Sequence, residues 1–141
     1  MGTTRAQIVT EAREWLGTPY HHQGRLKGIG SDCVGILIGI AAALGLPYED
    51  VTNYSPNPMP EQFKAELASL MDPIPVEDAL LGDVYTFYGN REQHVGIIVQ
   101  TDPAKIVHVW AQFPRKCVEI DLDQSWIQRR RAAYRFRGVI D

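Results

Sequence analysis

The chain has 141 residues, 45% apolar and 22% charged, with 14 Lys+Arg against 17 Asp+Glu for a net charge of −3. That length suits one domain, which buries roughly two-thirds of the surface its unfolded form exposes and needs no metal or disulfide to fold. The balance excludes a disordered or collagen-like chain and argues against a nucleic-acid-binding protein. Cys33 and Cys117 are too few for a disulfide framework or a Cys-rich zinc site. No apolar run reaches the ~18 residues of a membrane-spanning helix, and the N-terminus lacks the basic and apolar regions of a secretory signal. The expectation is a chain made in the cytoplasm, without membrane insertion.

In chain order, residues 4–16 read as a helix. Thr4 and Gln7 fit a capping box, and Ile8, Val9, Ala12, Trp15 and Leu16 share a face. Gly17 and Pro19 end it. Residues 18–31 carry Gly24, Gly28 and Gly30 without an apolar period and read as a long loop, which favours function. Ser31 and Asp32 can cap a second helix over 33–44, stopped by Gly45 and apolar on nearly all sides. Residues 48–60 read as an extended connection. Pro60 then suits the first turn of a third helix that buries Phe63, Leu67, Leu70 and Met71, and Pro73 and Pro75 close it.

From there the period turns strand-like: 83–88, 94–101, 105–110 and 116–121, with Asp102-Pro103 as a turn. Residues 125–131 read as a short basic helix or turn, and 134–139 as a last strand. Helices first and strands later, with short connections, mean an α+β fold with helices packed on an antiparallel sheet of about five to six strands.

Cys33 falls beside a predicted helix start, where backbone N–H groups and the helix dipole favour a thiolate. Gly35 lets other backbone approach the sulfur. The alternative is a buried structural cysteine. A cysteine nucleophile needs a base. His94 and His108 lie on neighbouring predicted strands, and a hairpin would bring their rings together. His94 could then take the thiol proton while His108 holds the far ring nitrogen. Each could equally be a histidine satisfied by backbone. His21 and His22, in a glycine-rich loop, read as solvated or substrate-facing and as candidates for lining a cleft, not as a metal site, and no ligand spacing implies a metal or other cofactor. Trp110 shares a strand face with His108 and is a further cleft-lining candidate. Trp15 and Trp126 read as core or rim aromatics. Arg129-Arg130-Arg131 reads as a solvated face or a dock for an acidic partner, and Cys117 as a strand cysteine without chemistry.

Asp32-Cys33-Val34-Gly35 resembles the Asp-Cys-Ser-Gly nucleophile motif of the NlpC family of papain-like cysteine peptidases, with Val34 in place of the serine. His94-Val95-Gly96-Ile97 resembles the family's base-bearing strand, and His108 its third polar residue. Leu16-Gly17-Thr18-Pro19-Tyr20 and Gly82-Asp83-Val84 resemble two further family segments. Residues 24–28 and 132–135 are similar to stretches of the phage and gene-transfer-agent tail branch. The resemblance implies a papain-like NlpC-type fold and a single catalytic domain over 1–141. It also implies a Cys33–His94–His108 triad that hydrolyses amide bonds in peptidoglycan stem peptides, commonly D-γ-glutamyl to a diamino acid, at a phage or phage-like tail. Tyr20 and Asp32 would serve the oxyanion or the substrate. Implied partners are the stem peptide and tail-tip proteins. An acyltransferase or other amidase on the same scaffold, and a non-catalytic tail-tip component, remain alternatives.

Overall fold

The computed structural model describes residues 2–50, 60–88 and 93–141. Most of the proline-rich connection expected over 48–60 lies outside them. The first helix, α1 (Arg5–Arg13), starts at the expected capping box: Thr4 accepts from the Gln7 backbone N–H, and the Gln7 side chain accepts from the Thr4 N–H. Two short strands follow, β1 (Arg25–Leu26) and β2 (Gly30–Ser31), paired antiparallel. They occupy part of the segment expected to be loop; two-residue strands are too short to show a period in sequence. Next come α2 (Gly35–Leu44), ended by Gly45 in the left-handed region at φ 72°, and α3 (Pro60–Leu70).

The main sheet contains β3 (Met71–Ile74), β4 (Val84–Tyr88), β5 (Gln93–Thr101), β6 (Ala104–Val109), β7 (Cys117–Asp121) and β8 (Arg130–Phe136). Their spatial order is β3-β8-β4-β5-β6-β7, and every pair is antiparallel. The α+β expectation holds, with six strands in the sheet. Two local expectations change. Pro73 does not simply close a helix; it sits in β3, opposite Tyr134 of β8. As an edge strand, β3 tolerates a residue without an N–H, because one side of its backbone has no ladder partner. The basic segment divides between α4 (Gln124–Gln128), capped by Asp123, and β8, which begins at Arg130 instead of Tyr134. Pairing with β4 overrides the local reading there.

Side chains alternate across the sheet. Val84, Val95, Ile97, Val99, Val107 and Val109 pack with Ile8 and Ala12 of α1, Ile36, Leu37 and Ile40 of α2, and Phe63 and Leu67 of α3. On the other face, Phe87, Ile98 and Ile106 pack with Leu122 and with Trp126 of α4. Each fully buried aliphatic side chain contributes about 1.5–3 kcal/mol against its exposed state. Asp83, just before β4, ties the helical layer to the sheet. It is 1% exposed and accepts from Arg5 Nη1 at 3.0 Å, Arg135 Nη2 at 2.9 Å and the Leu80 N–H at 2.9 Å. One carboxylate thereby joins the start of α1, the entry to β4 and the middle of β8.

Candidate active site

Cys33 lies in the turn that feeds α2, two residues before the helix begins. Asp32 builds that turn. Its Oδ1 accepts from the Gly35 N–H at 2.7 Å, and its backbone oxygen from the Ile36 N–H at 3.2 Å. Its Oδ2 accepts from the Gln23 N–H at 2.7 Å and lies 3.7 Å from His22 Nδ1. The capping role read for Asp32 is therefore present, and the same carboxylate ties down the loop that precedes β1. The loop approaches very closely here: a Cβ on Gly35 would stand 1.9 Å from the Gly24 carbonyl oxygen. Only a glycine at 35 permits that contact.

The thiol is half-buried, and the Val95 backbone N–H and its own backbone N–H both favour its charged form. The Val95 N–H belongs to the peptide that joins Val95 to His94, so the nucleophile candidate approaches β5 one residue along from the base candidate. Burial, then the Asp32 charge, push the thiol above its ordinary value; the two N–H groups oppose this, and Glu66 adds to the rise. The sequence expectation of a thiolate stabilised at a helix start is thus reversed at rest. The physical reason is that α2 begins two residues later, while burial and two carboxylates act on the sulfur directly. Glu66 is itself buried, and burial and Asp32 raise its carboxyl.

The two histidines meet through the β5–β6 hairpin. Ile97 pairs with Val107, and continuing that register sets His94 and His108 on one face as diagonal neighbours. His94 Nε2 and His108 Nδ1 are 2.6 Å apart, with rings 4.8 Å between centroids. Burial, then His108 and Arg129, push the His94 imidazole well below its usual value. Burial lowers His108 to about 4. Both rings are therefore neutral near pH 7. His108 is completely buried, and its Nε2 has no hydrogen-bond partner among the described residues.

Two tryptophans close around the pair. Trp110 lies 5.0 Å from His108 and 5.9 Å from His94, ring to ring. Trp126 lies 5.4 Å from His108, 6.3 Å from His94 and 5.1 Å from Trp110. Trp110 was a sequence candidate. Trp126 was read as an ordinary aromatic, and only the docking of α4 onto the sheet brings it here; the one local signal was Asp123 as the cap of that helix. Arg129, at the end of α4, was likewise taken for part of a solvated run.

The remaining candidates sit on the Cys33 side. Tyr20 is half-buried. Its backbone bridges to Ser31, its N–H donates to the Arg115 oxygen, and Arg115 lies over its ring at 5.3 Å. His21 is exposed, with Nδ1 3.0 Å from the His22 oxygen, and His22 is half-buried beside Asp32. Cys117 is a free thiol buried in the main core, pushed up to about 12 by burial. Among the described residues no group of three or more His, Cys, Asp or Glu side chains could hold a metal ion. Nor is any described helix long and apolar enough to cross a membrane.

No protein-family model matches the sequence, and no curated protein matches it. Solved structures do. An NlpC/P60 family protein from Bacillus cereus superposes with a TM-score of 0.71 at 19% identity, covering 96% of this chain and 41% of that one. The NlpC/p60 domain of the peptidoglycan hydrolase SagA gives 0.66 at 23% identity, covering 94% of this chain and 98% of that domain. NlpC2 from Trichomonas vaginalis gives 0.69 at 16% identity, covering the whole of this chain and 49% of that one. The chain thus spans less than half the length of two of these proteins and nearly all of the third. At such identities the likeness concerns the fold: helices on a six-stranded antiparallel sheet, arranged as in the papain-like NlpC/P60 structures.

Proposed function

We propose that this protein is a cysteine peptidase that hydrolyses amide bonds in peptidoglycan stem peptides, between a D-γ-glutamyl residue and a diamino acid, as the wall-opening component of a phage or phage-like tail. The reading is supported by the close His94–His108 ring pair and by the Val95 backbone N–H, next along the chain from His94, acting on the Cys33 thiol. The SagA domain, a peptidoglycan hydrolase with this fold, supports the substrate class. The sequence likenesses at residues 24–28 and 132–135 support the tail setting.

The ring nitrogens divide the work. His108 Nε2 lies among aromatic rings, where an N–H can rest against a π face and a bare lone pair finds nothing to accept from. That favours the Nε2–H tautomer of His108 and makes its Nδ1 the acceptor for His94 Nε2–H. His94 Nδ1 is then the nitrogen that takes the proton. In the reaction the Cys33 S–H proton passes to His94 Nδ1 as sulfur attacks the amide carbonyl carbon. The new imidazolium keeps its Nε2–H bond to His108. In this reading the backbone N–H of Cys33 and Tyr20 are the donors to the developing oxyanion; each such donor is worth about 3 kcal/mol. His94 returns the proton to the departing amine, leaving a thioester. Water then hydrolyses the thioester and restores the thiol. The raised thiol and lowered imidazole fit this order, in which charge appears only when the proton moves.

The test is hydrolysis of purified peptidoglycan and of a synthetic D-γ-glutamyl–diamino acid peptide, scored by new amino termini. The parent should cleave, and Cys33→Ala and His94→Ala should lose cleavage while melting near the parent. Full activity in Cys33→Ala refutes the mechanism, and a folded parent that reacts with iodoacetamide at Cys33 but cleaves neither substrate refutes the substrate.

A further inference from the structure

Residues 129–131 form a row of cations on aromatic rings. Arg129 Cζ stands 4.3 Å from the Trp126 ring centroid, Arg130 4.9 Å from Tyr85, and Arg131 4.4 Å from Tyr88. Arg5, Arg13, Arg25, Arg135 and Arg137 each meet a carboxylate. Arg129, Arg130 and Arg131 meet none among the described residues. Among the described residues the guanidinium of Arg129 makes one long hydrogen bond, 3.4 Å from Nε to the Ser125 oxygen, which leaves its forked Nη groups for another acceptor.

Arg129 differs from its two neighbours in where its aromatic support stands. The Trp126 ring beneath it packs against His94, His108 and Trp110. Its charge is felt at His94, where it opposes protonation. A cation beside a base that must itself become cationic hinders catalysis, unless an anion arrives with the substrate and offsets it. The opposite side of the site has the opposite sign, with Asp32 and Glu66 acting on the thiol. In the proposed reaction His94 hands its proton to the departing amine, so the leaving group stands on the imidazole side of the site, the side on which Arg129 acts.

We propose that the Arg129 guanidinium, seated on Trp126 beside the histidine pair, is the subsite for a carboxylate on the leaving-amine side of the scissile bond. This rests on the hydrolase reading above and deepens it. The substrate is thereby narrowed to peptides whose released amino acid carries a free carboxylate near the cleaved amide. Docking that carboxylate neutralises Arg129 and restores basicity to His94 at the moment the base is needed.

The test uses two reagents of equal chemistry and different charge, iodoacetate and iodoacetamide, and the ratio of their rates at Cys33. Any change in His94 basicity alters both rates together and cancels in the ratio. The parent ratio should exceed that of Arg129→Gln by about fivefold at low salt, shrink as salt is added, and largely return in Arg129→Lys. A reactive Cys33 whose ratio is the same in parent and Arg129→Gln overturns this inference and leaves the hydrolase reading intact. A folded parent in which Cys33 reacts with neither reagent and which cleaves no peptidoglycan overturns both.

Discussion

Replacing Gly35 by alanine tests whether the loop-to-helix contact sets the geometry at Cys33. The new methyl would stand 1.9 Å from the Gly24 carbonyl oxygen and 3.0 Å from both Asp32 Oδ1 and Ser31 Oγ. Carbon and oxygen approach comfortably only to about 3.3 Å, so the Gly24 carbonyl must retreat by more than an ångström. It cannot retreat alone, because the neighbouring Gln23 N–H is bonded to the carboxylate that caps the Cys33 turn. Overpacking of this kind costs about 1–3 kcal/mol. A displacement of about 1 Å at a reacting group costs on the order of 100-fold in rate. Urea unfolding would read the first quantity, and peptide hydrolysis beside iodoacetamide alkylation of Cys33 the second. The expected variant is folded, somewhat weakened and at least about 100-fold slower. A Gly35→Ala protein with parental stability and activity would show that the loop yields freely and that the close approach has no part in placing the thiol.

Two further outcomes follow from buried charge. Asp83→Ala should cost about 3–5 kcal/mol in urea, since it leaves Arg5 and Arg135 facing a vacated site; a loss under ~1 kcal/mol would mean the two arginines find water easily. His108 has a folded value of about 4 against 6.5 when unconstrained, so the unfolded chain takes up the proton first. Stability should therefore rise with pH from 4 to 6.5 and be lost on acidification through that window, by about 3 kcal/mol from this group. Unfolding midpoints across that range should fall more steeply in the parent than in His108→Gln; equal slopes would contradict the burial argument.

Much of the architecture was legible because it rests on local signals. The Thr4–Gln7 box, the Gly45 stop and the alternation in β5 and β6 are all properties of short segments, and the structure shows each of them. The histidine pair was legible for the same reason, since a tight hairpin fixes the register of its two strands. What escaped depends on distant parts of the chain. Pro73 lies in a strand only because β8 is there to pair with it. Trp126 reaches the histidine pair, and Arg129 the Trp126 ring, only because α4 folds over the sheet face opposite α1–α3. The thiol's raised affinity for its proton comes from carboxylates and burial that no window around Cys33 displays.

The two halves of the proposed catalytic pair have different histories in folding. The imidazoles lie fourteen residues apart along the chain, within one hairpin, and such hairpins close in about 1–10 μs. The thiol comes from an earlier third of the chain and reaches β5 only when the helical layer docks on the sheet, a long-range event that belongs to the slow part of folding. On that order of events an incompletely folded chain would bring the histidine pair together before the sulfur arrives. Reactivity at Cys33 becomes a report on the last contacts to form, and the proposed amide cleavage would begin only once the chain's own backbone is packed away.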